Sequence, residues 1–267
     1  MPYASSGFVI KHDLENEYAL VDLGNAPDVS LEEQLKGWGI SLENISLVAL
    51  THLHSDHAPP AGIRTITESA DCPILLSQTG WEHQGDERVV EMKSLLEKSG
   101  RMELLDSAGE MECGNWSVSW RPLTHAVTGQ PVFGGNTAFR INTVIVSGDG
   151  PIWELFTEDN KPFFYPAQGD PVRTMAVNIA HLSLEDLKLQ DYPEERKKRW
   201  REEHGLLEDL LKTMVDPQFN DFYMNLKTLI PTHIRRRMRE ESAILYKNEI
   251  DKICAEQGFG LKVVFDV

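Results

Sequence analysis

The chain is poor in cysteine and in positive charge, and it has no long apolar run. Three cysteines stand among 267 residues, Cys72, Cys113 and Cys254, with no Cys-x-x-Cys pair. That usage fits buried or free thiols in a reducing compartment, small core residues rather than metal ligands. No apolar stretch is long enough to cross a bilayer. The opening Met1-Pro2-Tyr3-Ala4-Ser5-Ser6-Gly7 lacks the basic-then-apolar order of a signal peptide. A soluble, cytoplasmic protein without membrane partners is expected. Lys and Arg total 26 against 42 Asp and Glu, a formal net charge of −16. A protein that grips long nucleic acid shows a basic face, so this balance disfavours extended polyanions. A small anion held by a few arginines and metal ions remains compatible with it. Low-complexity linkers and internal repeats are also missing, and 1–267 reads as one domain with a substantial core.

What the chain does have is Thr51-His52-Leu53-His54-Ser55-Asp56-His57. Four metal-competent side chains fall within six residues. Neutral imidazole is the commonest protein metal ligand, and a neighbouring carboxylate suits zinc, iron or manganese. The preceding Ile45-Ser46-Leu47-Val48-Ala49-Leu50 is mostly apolar and reads as a buried strand. The cluster therefore sits where a core strand gives way to a loop, a common address for catalytic residues.

The stretch resembles the signature of the metallo-β-lactamase superfamily of metal-dependent hydrolases. The resemblance implies that His52, His54, Asp56 and His57 are metal ligands. It also implies a His, an Asp and a His downstream, each at a strand end. The chain offers His125 after the run Trp116–Trp120, Asp149 in Ser147-Gly148-Asp149-Gly150, and His233 after Thr228–Thr232. By this analogy His52, His54 and His125 hold one ion. Asp56, His57 and His233 hold a second, and Asp149 bridges them. Two divalent ions are implied, zinc first, with manganese or iron open. Paired ions of this kind generate hydroxide at neutral pH, and a bridging hydroxide is the expected nucleophile.

His181, in Asn178-Ile179-Ala180-His181-Leu182-Ser183, points to one branch of that family. In ribonuclease Z-like enzymes and related cyclic-phosphate phosphodiesterases, a His in this stretch assists the leaving group. An alkoxide departing from phosphorus needs such a proton donor. Asp56 and His181 are the catalytic candidates. The interval from His125 to Asp149 carries no basic, glycine-rich arm for tRNA, so a small-molecule phosphodiesterase acting on a cyclic phosphate or cyclic nucleotide is expected. The competing readings are a lactone, ester or thioester hydrolase, for which His181 is dispensable, and a non-catalytic metal-binding scaffold. Ala58-Pro59-Pro60-Ala61 stands where many relatives carry glycine soon after the Asp-His pair. His12, His83 and His204 receive no role.

Local patterning adds a frame. Gly7–Lys11 and Tyr18–Asp22 read as a hairpin, and Leu31–Trp38 as a helix capped by Ser30. Pro59-Pro60 opens a further helix. Glu87–Lys98, Pro193–Leu211 and Arg239–Glu256 read as helices; Pro73–Leu76, Met175–Ile179 and Leu261–Phe265 read as strands, with several short ones across 102–147. The pattern alone gives mixed α and β. The resemblance implies an αββα sandwich of two mixed sheets flanked by helices. Residues 185–227, with Trp200, Phe219, Phe222 and Tyr223, read as a helical insertion that serves as lid or homodimer surface. Its aromatics either stack on a base or form the inner face of a packed helix pair. Trp153–Pro171 is a candidate second wall of the pocket. Arg235, Arg236, Arg237 and Arg239 read mainly as the basic first turn of a surface helix.

Overall fold

Two short apolar runs build the first hairpin as expected. β1 (Phe8–Lys11) pairs antiparallel with β2 (Tyr18–Val21), Phe8 opposite Val21. The computed structural model describes residues 7–24, 28–83, 87–127, 130–166, 169–179, 193–232 and 240–264. β3 (Ile45–Leu50) runs parallel to β2 and to β4 (Ile74–Ser77), and β5 (Met102–Leu105) closes the sheet in the order β1-β2-β3-β4-β5. The near-continuous apolar runs of β3 and β4 are what a strand covered on both faces requires.

Four helices accompany this sheet in the chain: α1 (Leu31–Gly37), α2 (Pro60–Ser69), α3 (Gln78–His83) and α4 (Glu87–Ser99). α1 opens with a capping box, Ser30 Oγ accepting from Glu33 N–H while Glu33 takes the Ser30 N–H. Leu35, Ile63, Ile66, Met92 and Leu96 pack on Leu20, Val48, Leu50 and Leu76 from the outer face of the sheet.

The second sheet runs β12-β11-β10-β9-β8-β7-β6. Its members are β6 (Gly109–Cys113), β7 (Trp116–Val127), β8 (Gln130–Ile141), β9 (Val144–Val146), β10 (Thr174–Asn178), β11 (Thr228–Thr232) and β12 (Lys262–Val263). β6 to β9 pair antiparallel, β9 to β12 parallel. Its helices are α5 (Ile152–Leu155), α6 (Lys161–Phe164), α7 (Glu194–Glu203), α8 (Leu207–Val215), α9 (Asn220–Asn225) and α10 (Glu240–Gln257).

Period-two alternation places the next residue of each strand in a central core. Val21, Leu47, Ala49 and Leu75 of the first sheet meet Trp116, Val118, Phe139 and Ile141 of the second. Trp116 Nε1–H donates to Ser46 Oγ across that junction at 2.8 Å. A third core joins Met175, Val177 and Leu229 to Leu155, Phe163, Leu210, Phe222, Tyr223 and Tyr246. Two mixed sheets face each other between helix layers, the αββα sandwich that the resemblance implied.

Two local expectations need correction, and one choice between readings is decided. The short strands foreseen in 102–147 include two of twelve residues, β7 and β8. β7 runs through Pro122, which pairs opposite Thr137, and the register shifts just beyond it, between Leu123 and Thr124. The helix expected over Pro193–Leu211 is broken at His204-Gly205-Leu206 between α7 and α8. Phe219, Phe222 and Tyr223 are buried in the third core, so of the two readings offered for them the packed helix face holds. The side chain of Trp200, and residues 180–192 and 233–239 with His181, His233 and Arg235–Arg239, lie outside the described set.

Candidate metal centre

β3 delivers the first donors. Past Leu50 the chain turns so that His57 N–H and Ala58 N–H both donate to the His54 carbonyl, at 2.9 and 2.8 Å. β7 brings His125, two residues before its end and just past the register shift, a kind of irregularity that re-aims side chains. β9 leads to Asp149 through Gly148, whose φ of +60° favours glycine. A β-carbon on Gly148 would collide with Asn136 Oδ1 and lie 2.7 Å from Thr51 Cβ.

These elements gather the donors. One donor atom each of His52, His54 and His125 lie within 4.8 Å of one another, and the same holds for His52, His57 and Asp149. His125 Nε2 and His54 Nδ1 stand 3.2 Å apart. The two oxygens of Asp149 face different groups. Oδ2 is 3.9 Å from His52 Nε2 and 4.0 Å from His125 Nε2, while Oδ1 is 3.2 Å from His57 Nε2. Asp56, half-buried, places Oδ2 4.0 Å from His57 Nε2.

The carboxylate of Asp22 sets the imidazole tautomers. It sits at the end of β2, beside the end of β3, and accepts from Thr51 N–H (2.8 Å), Thr51 Oγ1–H (2.8 Å) and His57 Nδ1–H (2.8 Å). The single Thr51 hydroxyl proton is committed to Asp22, so at His52 Nδ1, 3.0 Å away, Thr51 Oγ1 acts as acceptor. Both His52 and His57 therefore carry their ring proton on Nδ1 and present the Nε2 lone pair. Such carboxylate and hydroxyl partners fix the tautomer of metal-ligating histidines.

Asp149 is held by amides. Its N–H donates to Asn136 Oδ1 (3.0 Å), and Asn178 Nδ2–H donates to its Oδ1 (2.6 Å). Asn136 also donates to Ser147 O at 2.8 Å. Both amides are buried.

The electrostatics match. Burial, together with neighbouring His57, His125 and His54, drives the His52 pKa well below its usual value, so His52 is neutral and ligand-competent. Burial also opposes charge on His57, but Asp149 and Asp22 outweigh it and raise its pKa well above the usual value. His57 thus faces a carboxylate that calls for positive charge between them, either a proton or a metal ion. Burial lifts the Asp22 pKa, with His57 and Thr51 pulling it back.

The donor set fits divalent metal. His52 Nε2 is buried without a hydrogen-bond partner among the described residues, with His57, His125, His54 and Asp149 around it. A lone pair left so inside a polar cluster is costly unless a cation takes it.

A family profile for the metallo-beta-lactamase superfamily matches residues 2–154. The chain belongs to the metallo-β-lactamase superfamily. A search of curated protein sequences finds no match. Among solved structures, this superfamily member is similar to unliganded yeast PDE1, at 14% identity, with 99% of this chain and 93% of that chain covered and a TM-score of 0.64. It is similar to the metallo-beta-lactamase fold protein YhfI from Bacillus subtilis, at 16% identity, 98% and 88% coverage and a TM-score of 0.55. It also resembles CmlA, a diiron beta-hydroxylase from Streptomyces venezuelae, at 11% identity and a TM-score of 0.54; 93% of this chain covers 49% of that one. At these identities the likeness is one of fold.

Of the donors singled out from sequence, His52, His54, His57, His125 and Asp149 come together in overlapping clusters, and Asp56 lies beside them against His57; His181 and His233 lie outside the described residues. Sequence reading missed Asp22, Thr51, Asn136 and Asn178, which only orient other groups. It also set aside His204, which is buried here with Nε2 4.0 Å from Asp149 Oδ2. Among the described residues, no helix is long and apolar enough to cross a membrane.

Proposed function

We propose that the protein is a dinuclear metal-dependent phosphodiesterase of the ribonuclease Z-like branch, acting on a small cyclic-phosphate or cyclic-nucleotide substrate. The observation that carries the dinuclear reading is Asp149, whose Oδ2 faces His52 and His125 while Oδ1 faces His57. A bridging carboxylate needs that division. His52, His54 and His125 are proposed to hold one ion, Asp56, His57 and His233 the other. Zinc is the first choice for so histidine-rich a set, with manganese and iron as alternatives. Bound divalent ions supply Lewis-acid chemistry and lower the pKa of water at such a site.

The chain's own residues do the rest. Asp22 keeps His57 in the tautomer that presents Nε2, and Asn178 and Asn136 hold Asp149 in place. His181 is proposed, from its position in the sequence, to pass a proton to the departing alkoxide oxygen. A cavity of about 460 Å³ is lined by Trp153, Lys198, Arg201, Glu202 and Asp209. Its two cations are balanced by carboxylates, Lys198 Nζ lying 3.9 Å from Glu202 Oε1 and Arg201 Nη1 3.7 Å from Glu208 Oε1, so charge on this wall does not select the substrate.

The test is metal analysis joined to a turnover panel of cyclic mononucleotides, bis(nitrophenyl) phosphate, a homoserine lactone and a cephalosporin. Two ions per chain with phosphodiester turnover are expected. Turnover confined to the lactone or cephalosporin would replace the substrate class, and full metal with no turnover would favour a scaffold. His181→Ala should cost roughly 10²–10⁴-fold on an alkoxide leaving group and much less on nitrophenolate, which departs unprotonated. Equal losses on both would remove the acid role.

A further inference from the structure

We infer that His204 is a further metal-binding residue of this centre, joining His125 and Asp149 on one of the two ions. The inference rests on the metal-site reading above and extends it to the chain segment between β10 and β11.

The geometry is specific. Three imidazole nitrogens surround Asp149 Oδ2 at nearly one distance: His52 Nε2 at 3.9 Å, His125 Nε2 at 4.0 Å and His204 Nε2 at 4.0 Å. Donor atoms of His125, Asp149 and His204 all lie within 4.8 Å of one another. Each donor of such a set sits about 2.0–2.2 Å from its ion, so two donors on one ion stand at most roughly 4.4 Å apart. His204 satisfies that bound against Asp149 as well as His125 does. Its ring meets the His125 ring edge-on, centroids 5.2 Å apart at 78°.

The chain around His204 is built to put it there. α7, Glu-Glu-Arg-Lys-Lys-Arg-Trp-Arg-Glu-Glu, is strongly polar, yet it is followed at once by a buried histidine. Gly205 makes that possible. A β-carbon at this position would collide with the Asn178 carbonyl oxygen and lie 2.9 Å from Ile152 Cγ1. Asn178 is the residue whose amide holds Asp149 Oδ1. Leu206 and Leu207 then anchor in the core and start α8. The break between polar α7 and amphipathic α8 is thus the point where the backbone presses against the second sheet and turns one imidazole toward Asp149.

The experiment uses the full-length chain stripped with chelator and titrated with zinc, then with cobalt(II) followed by visible absorption. His204→Ala is compared with parent and with His52→Ala as positive control. His204→Ala should weaken zinc binding at one site by roughly 10–100-fold or more and shift the cobalt(II) bands, because a nitrogen donor is lost. Gly205→Ala, which keeps the imidazole but displaces it, should move both readouts the same way. If His52→Ala loses metal while His204→Ala binds within twofold of parent with an unchanged cobalt(II) spectrum, the inference is wrong and the centre stands without it. If His52→Ala also keeps its full metal, both the inference and the reading beneath it fall. Should His204→Ala not fold, His204→Asn retains a polar side chain and the same two outcomes decide.

Discussion

Replacing Asp22 by Asn probes how a residue that touches no ion governs the centre. The shape is preserved, and the new Oδ1 can still accept from Thr51 N–H. The atom replacing Oδ2 becomes an NH₂ group, and it must face His57 Nδ1 and Thr51 Oγ1, both donors to the native carboxylate at 2.8 Å. Donor would meet donor. His57 resolves the conflict by moving its proton to Nε2, which removes the lone pair aimed at Asp149 and the metal. Loss of such an orienting partner costs about 10–100-fold in metal affinity, or about 1.4–2.7 kcal/mol. The metal-free fold is affected differently. It loses a charge-assisted hydrogen bond of about 1.5–3 kcal/mol, but it no longer buries a carboxylate whose pKa burial already raises. Metal affinity should therefore fall further than metal-free stability. Competition against a chromophoric chelator gives the first quantity, and thermal melting of the stripped protein gives the second. An Asp22→Asn variant that folds and binds zinc within twofold of parent would refute the tautomer argument.

Gly148→Ala should destabilise the protein by about 2 kcal/mol or more, about 1–2 kcal/mol from the left-handed backbone and the rest from the collision with Asn136; melting and metal content should fall together. Burial pushes the Cys72 thiol up to about 11. Its folded pKa lies above the unfolded value near 8.5, so its contribution to stability is complete below that value and is lost as pH rises through about 11; alkylation at neutral pH should be far slower at Cys72 in the native protein than after denaturation. Phe222→Ala should cost about 3–5 kcal/mol as a buried aromatic truncation, while zinc content of the folded fraction stays at the parental level.

The opening cluster was legible because it is local. His52, His54, Asp56 and His57 lie within one turn of chain behind an apolar strand, and ligand chemistry needs no tertiary information to be recognised there. His125 and Asp149 were reachable only through order along the chain. Asn136 and Asn178 were not reachable, since an Asn within a strand reads as an ordinary polar residue until β8, β9 and β10 bring its amide against Asp149. His204 failed for a sharper reason. Arg-Glu-Glu-His-Gly-Leu-Leu-Glu-Asp-Leu-Leu keeps an amphipathic helical rhythm through the glycine, and one Gly inside a helix costs only about 1 kcal/mol. Local propensity therefore favours continuity. The break is decided by the approach of Gly205 to the Asn178 carbonyl, a contact between segments that no window of sequence contains.

The same topology explains why so many polar groups are tolerated at the rim of a hydrophobic sandwich. Asp22, His52, His54 and His57 belong to the first sheet and its loops, His125 and Asp149 to the second. Thr137 N–H of β8 donates to the Thr51 carbonyl at 2.8 Å, tying the two sheets at this edge. Burying two carboxylates and three or more imidazoles here costs several kcal/mol unless charges are balanced. In the proposed centre, an ion shared by donors from both sheets would supply that balance, and because the unfolded chain has no preformed set, its binding energy would count toward folding. Ligands drawn from facing sheets would thus make the metal a cross-sheet clip as well as a reagent. That is the physical reason for the centre to lie at the strand ends, where the loops of both sheets converge, rather than within either sheet.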